Sequence, residues 1–197
     1  MNISYYLNNL GFSPAEGYSQ QISNQIIDLI GLINGSSIKN VMEIGFNAGH
    51  SAEIFLLNNK ELNLTSFDLG IHNYVLPAKE YISTVYPNRH TLILGDSQTT
   101  VPLFIYNNAG VTFDVIFIDG GHNYEIANAD MTNCFHLSHR DTIVMIDDTM
   151  FTKGWEQAYT VGPTRTWVEH LRQNKIIELN RRDYCVGRGM SWGKYKL

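Results

Sequence analysis

A doubly wound α/β sheet, mostly parallel and finished by an antiparallel hairpin, is the fold this 197-residue sequence predicts. Three observations carry the expectation. Short apolar runs alternate with helix-length stretches from residue 40 to residue 148. Two of those runs, "FDVIFID" (113–119) and "DTIVMIDD" (141–148), are continuously apolar, as parallel strands buried on both faces are. The tail then changes character: "KIIELN" and "YCVGRGMSWGKY" follow each other closely enough to pair as a hairpin. Five strand–helix units plus that hairpin make seven strands.

The elements follow in order. Ile22, Ile26, Leu29, Ile30 and Ile33 recur at helical spacing within residues 18–33, and Gly35, Ser36 and Ser37 end the helix. Residues 40–45 form the first strand, and 48–59 a helix stopped by Asn58 and Asn59. A strand over 62–70 leads to a helix over 73–86, broken at Pro87. The third strand spans 90–96; the helix after it, 98–108, carries Pro102 in its first turns. Strands at 113–119 and 141–148 flank a helix over 124–138. Pro163 suits the start of a last helix through Leu171. No repeat, low-complexity segment or linker divides the chain, so one domain is expected over 1–197, with a helical N-terminal segment (1–37) and an α/β core (38–197).

Bulk properties narrow the function. With 44% hydrophobic and 17% charged residues, the chain has the composition of an ordinary globular protein. The net charge of −5 and the absence of a long basic run argue against a nucleic-acid partner. The most basic stretch, "RRDYCVGR", reads as a surface strand. Cys134 and Cys185 are far apart and form no CxxC, which points to neither zinc nor a disulfide framework. "MNISYYLNNLGF" lacks the basic start and apolar core of a signal peptide, and no run is long enough to span a membrane. A reducing cytoplasmic setting is the expectation.

In doubly wound sheets ligands sit at the carboxyl ends of the strands. The first strand ends in "EIGFNAGHS", where Gly45 and Gly49 flank a turn that opens a helix. Asn47 stands where a dinucleotide fingerprint has its middle glycine. The second strand ends in Asp68, a residue able to bind ribose hydroxyls or simply to cap a turn. The third ends in "GDS", where Asp96 can accept from an adenine amino group or cap the next helix. Each feature alone has an ordinary structural explanation. Three at consecutive strand ends favour a ligand.

"VMEIGFNAGHSAEIFL", "TSFDLG", "GDS" and "FDVIFIDGGHNYE…VMIDDT" resemble the class I S-adenosylmethionine-dependent methyltransferases. More narrowly, they are similar to the small-molecule O-methyltransferase branch with the catechol and caffeoyl-CoA enzymes. The "IDGGHNYE" form is nearest to a bacterial subgroup that includes macrolide-sugar O-methyltransferases. The likeness runs over roughly residues 40–192, and "GPTRTW" and "GRGMSWG" share it.

The resemblance implies a Rossmann-like sheet and a set of roles. Glu43, Gly45, Asn47, Gly49 and Ser51 would surround the methionine part of S-adenosylmethionine. Asp68 would hold the ribose, and Asp96 and Ser97 would border the adenine. Asp119 would lie near the methyl group, at a metal. The family order makes the fourth and fifth strands neighbours, roughly 4.8 Å apart, so Asp119, Asp147 and Asp148 would share a divalent cation. Oxygen ligands favour magnesium, manganese or calcium over zinc. His122 would take the acceptor's proton. The chain departs from the catechol pattern twice: His122 replaces a lysine, and Asp147-Asp148 replaces Asp-Asn.

The remaining histidines and tryptophans read as ordinary. His136 and His139 suit a solvated helix end, and His50 a helix start beside the cofactor. Trp155, Trp167 and Trp192 suit packing, with Trp155 the best lid candidate. The expected activity is O-methylation of a small hydroxylated acceptor, with specificity in residues 1–20 and 149–162; a homo-oligomer stays open. Two alternatives are a nicotinamide-dependent oxidoreductase, which the missing GxGxxG disfavours, and a cofactor-binding protein without catalysis.

Overall fold

The computed structural model describes residues 2–13 and 18–197. Its sheet has seven strands in the order β3-β2-β1-β4-β5-β7-β6. These are β1 (Asn40–Ile44), β2 (Asn63–Asp68), β3 (His90–Leu94), β4 (Phe113–Ile118), β5 (Ser138–Asp147), β6 (Ile176–Cys185) and β7 (Arg188–Tyr195). The first five run parallel. The last two form the expected hairpin, with β7 antiparallel to β5. The order reverses between β1 and β4, and the crevice above that reversal is where such sheets bind ligands.

Period-two alternation splits the apolar residues between the two faces. Val41, Val115, Phe117 and Met145 pack under α1 (Ile3–Asn9), α2 (Ser23–Ile33), α3 (His50–Asn58) and α4 (Val75–Val85). Met42, Ile44, Ile116, Ile118 and Val144 pack under α5 (Ser97–Asn107), α6 (Tyr124–Phe135) and α7 (Val161–Arg172). Glu43 shares the phase of Val41, so a carboxylate is driven into the first layer, fully buried. None of the helices is long and apolar enough among the described residues to cross a membrane.

The N-terminal segment expected to be helical holds α1 as a separate helix ahead of the one predicted within 18–33. Asn2 caps it by accepting from the Tyr5 N–H, and Ile3 and Leu7 anchor it in the core. Two apolar residues one turn apart are too short a signal to stand out from sequence. In α2 the buried positions are Gln25, Leu29 and Ile33, so the inward face is rotated from the isoleucine stripe towards a glutamine. Strand β5 starts at Ser138, earlier than expected, and α6 ends at Phe135. His139 therefore sits on a strand, where its Nε2 lies 3.2 Å from Asp114 Oδ1, rather than on a solvated helix end. Trp167 is buried, its Nε1 donating to Glu178. Of the segment expected to carry specificity, residues 1 and 14–17 lie outside the described ones.

Candidate active site

A cavity of about 490 Å³ opens above the switch point. Three closures shape it. Gly45, at φ +99°, brings the end of β1 so near β4 that a Cβ there would stand 1.9 Å from the Asp119 carbonyl oxygen. Only glycine permits both the conformation and the approach. Asp68 accepts the Asn47 N–H on Oδ2 and the Gly70 N–H on Oδ1, each at 2.7 Å, which ties together the loops after β1 and β2. Asp96 caps α5 by accepting from the Gln98 N–H.

Six of the residues expected at the cofactor line this cavity: Gly45, Asn47, Asp68, Asp96, Ser97 and Asp119. Glu43, Gly49 and Ser51 stand outside the lining. Glu43 accepts from the Ser51 hydroxyl on Oε2 and from the Ser66 hydroxyl on Oε1, both at 2.7 Å. Burial pushes its carboxyl up to about 7 against the lowering effect of those two serines. Gly49 starts α3 at φ +74°, packed against Ile3 and Phe46.

The far wall is acidic. Asp119, Asp147 and Asp148 all face the cavity, together with His122, Tyr159 and Arg188. His122 Nε2 lies 2.9 Å from Asp148 Oδ2. Asp148 is 6% exposed and sits at φ +57°, a left-handed position that aspartate tolerates better than most residues. Its Oδ1 is buried without a hydrogen-bond partner. Asp119 keeps some surface on the cavity, yet burial, reinforced by Asp147 and Asp148, raises its carboxyl well above the usual range. Asp147 rises to about 7 through burial and then Asp148, with Arg188 and Gln25 opposing.

The structure gathers Asp119, His122 and Asp148 so that one ligand atom from each lies within 4.8 Å of the others. Asp147, expected in that set, turns both oxygens to Gln25 Nε2, at 2.9 and 2.8 Å. A hard-oxygen pair with an adjacent imidazole and an orphaned buried carboxylate oxygen suits a divalent cation. Sequence reasoning singled out neither Gln25 nor Arg188, and reached Tyr159 only as part of the segment 149–162 expected to carry specificity. Arg188 belongs to the basic stretch that reads as a surface strand; its side chain instead turns into the acidic wall and donates to Gln25 Oε1 at 3.2 Å. Trp155, the lid candidate, does not line the cavity; its carbonyl accepts from the Gly187 N–H at the hairpin turn.

A parallel sheet with this order, an antiparallel end and a ligand cavity over the switch between β1 and β4 define the Rossmann-like fold of the class I methyltransferases. Residues 42–149, more than half of the chain, match the family model described as a methyltransferase domain, and the chain belongs to that family. Solved structures share the fold. An O-methyltransferase from Bacillus cereus in complex with SAH has a TM-score of 0.77 at 17% identity, covering 98% of this chain and 90% of that one. The O-methyltransferase TomG from Streptomyces achromogenes, involved in tomaymycin synthesis and solved with SAM, has 0.73 at 13%, covering 99% and 88%. CalS11, a TDP-rhamnose 3′-O-methyltransferase of calicheamicin biosynthesis solved in its apo form, has 0.65 at 15%, covering 99% and 93%. No curated protein matches the chain in sequence.

Proposed function

We propose that this methyltransferase transfers the methyl group of S-adenosylmethionine to a hydroxyl of a small acceptor, a sugar or a phenol-like molecule, with a divalent cation assisting. The observation that carries the reading is the His122–Asp148 pair, 2.9 Å apart, on the acidic wall of a cavity whose opposite side is lined by Asp68, Asp96 and Ser97. Base and cofactor residues thus share one cavity, as direct transfer between two bound molecules requires.

On the cofactor side, Asp68 has acceptor capacity left for a ribose diol, since each carboxylate oxygen accepts from only one backbone N–H. Gly45 and Asn47 hold the turn open towards the methionine part, and Ser97 borders the adenine. Glu43 and Ser51 support that turn from behind. On the acceptor side, Asp148 orients the imidazole of His122, which receives the hydroxyl proton as the oxygen attacks. Asp119 and Asp148 would hold magnesium, manganese or calcium, and the bound ion would polarise the hydroxyl and favour its ionised form. Tyr159, within the segment 149–162, borders the acceptor space. One domain spanning 1–197 and working in the cytoplasm fits this reading, and both cysteines are free.

The test is incubation with methyl-labelled S-adenosylmethionine and a panel of sugars, nucleotide sugars and phenols. A methyl ether on one of them is the expected product. Cofactor binding without transfer to any hydroxyl or other nucleophile would favour a non-catalytic binder. Tight binding of a nicotinamide dinucleotide in place of S-adenosylmethionine would overturn the assignment.

A further inference from the structure

We infer that Gln25 and Arg188 withhold Asp147 from the divalent ion, so that helix α2 sets the ion affinity of a site built on Asp119 and Asp148. The inference rests on the ion reading proposed above and concerns which carboxylates are available to it.

Asp147 and Asp148 are consecutive and both face the cavity. Their carboxylates have different surroundings. Both oxygens of Asp147 are occupied by one amide, Gln25 Nε2. Gln25 is 0% exposed, does not line the cavity, and stands in the core stripe of α2 with Leu29 and Ile33. Its amide oxygen accepts from Arg188 Nη2, which fixes the amide's orientation so that the NH₂ faces Asp147. The glutamine is thus held at both ends. Asp148, by contrast, keeps Oδ1 buried and unpartnered on the cavity wall.

An ion drawing on Asp147 would have to displace a buried, charge-assisted contact, whereas Asp148 Oδ1 has no partner in the protein to lose. Arg188 adds a second effect. Its positive charge faces Asp119, Asp147 and Asp148, neutralising part of the field that would otherwise attract a cation. Its Nε is buried without a hydrogen-bond partner, so the guanidinium is placed for the amide and the acidic wall at some cost to itself. Both effects weaken ion binding, and neither comes from the strands that carry the carboxylates.

The test is a Mn²⁺ titration of the full chain, read by the electron paramagnetic resonance of free Mn²⁺, with S-adenosylmethionine affinity measured separately by calorimetry. Asp147→Asn keeps an acceptor for Gln25 and should leave the Mn²⁺ affinity within about two-fold of the parent, while Asp148→Asn should weaken it about ten-fold or more. Gln25→Leu, close in volume, should free Asp147 and tighten Mn²⁺ binding about ten-fold. The double variant with Asp147→Asn should lose that gain, which a general disturbance of the fold would not reproduce. Equal weakening by Asp147→Asn and Asp148→Asn, or no gain from Gln25→Leu in a folded protein, would overturn the inference and leave the ion reading intact. Absence of Mn²⁺ binding by the parent, with S-adenosylmethionine still bound, would overturn the ion reading and this inference with it.

Discussion

Replacing Asp68 tests the cofactor side of the cavity most directly. In the folded chain its two oxygens already hold the Asn47 and Gly70 N–H groups, both at 2.7 Å. A ribose diol would add up to two further hydrogen bonds to the same carboxylate. Hydrogen bonds to charged groups contribute about 1.5–3 kcal/mol each, but Asp68 is half-buried and solvent screens part of that. Asp68→Ala should therefore weaken S-adenosylmethionine binding by about 1–3 kcal/mol, roughly five- to 150-fold in Kd. Loosening of the two loops contributes to the loss, and a second ligand separates the contributions. The 2′-deoxy analogue of S-adenosylhomocysteine lacks one partner hydroxyl, so the substitution should penalise it less than the parent compound. Asp68→Asn, which keeps one acceptor oxygen, should fall between wild type and alanine. The assay is isothermal titration calorimetry. An affinity for S-adenosylmethionine unchanged within two-fold in Asp68→Ala would refute the ribose role, and equal losses for the two analogues would reduce it to loop support.

Four further outcomes are expected. His122→Ala should slow methyl transfer by about 10²–10⁴-fold, the usual contribution of a general base, while S-adenosylmethionine affinity stays within two-fold; a fully active variant would remove His122 from the chemistry. Chelator should abolish turnover and added magnesium restore it, and undiminished activity in chelator would exclude the metal role. Gly45→Ala should destabilise the fold by about 3 kcal/mol or more, because the new methyl meets the Asp119 carbonyl at 1.9 Å in a strained conformation; a variant melting with wild type would contradict that packing. Glu43 gives the pH dependence. Its carboxyl is raised from 4.5 to about 7 in the folded chain, so folding disfavours the charged form, and the cost is absent below pH 4.5, grows as the pH rises to 7 and is complete above it. The shift amounts to about 3 kcal/mol. Glu43→Gln should accordingly melt higher than wild type at pH 8 and lose that advantage near pH 4.5, and a difference constant with pH would show that the glutamate carries no such burden.

The order of helices and strands was legible because their signals are local. Continuous apolar runs such as Val115–Ile118 and Val144–Ile146 mark strands buried on both faces, and the glycines and aspartates after them mark the strand ends where ligands collect. That logic pointed to Gly45, Gly49, Asp68 and Asp96, the family resemblance added Asn47, Ser97 and the acidic residues, and all of these but Gly49 line one cavity. Glu43 and Ser51, which the resemblance also implied, lie near a strand end but not on the cavity. Period-two alternation turns Glu43 away from the cavity and into the layer under α3, where Ser51 and Ser66 receive it. Gln25 and Arg188 were illegible for a different reason. They are 163 residues apart, and nothing in the sequence around either residue encodes the other. A glutamine in line with Leu29 and Ile33 is readable only as a polar residue at a core position, and an arginine in a basic stretch reads as solvated. Their meeting depends on β7 pairing with β5 at Asp147↔Met190, which brings the start of β7 over the acidic wall, and on α2 closing from the other side. A buried glutamine has to find partners for its amide. Here they are Asp147 and Arg188, so the side chain that defies its helix's pattern is also the one that gives two neighbouring aspartates different surroundings.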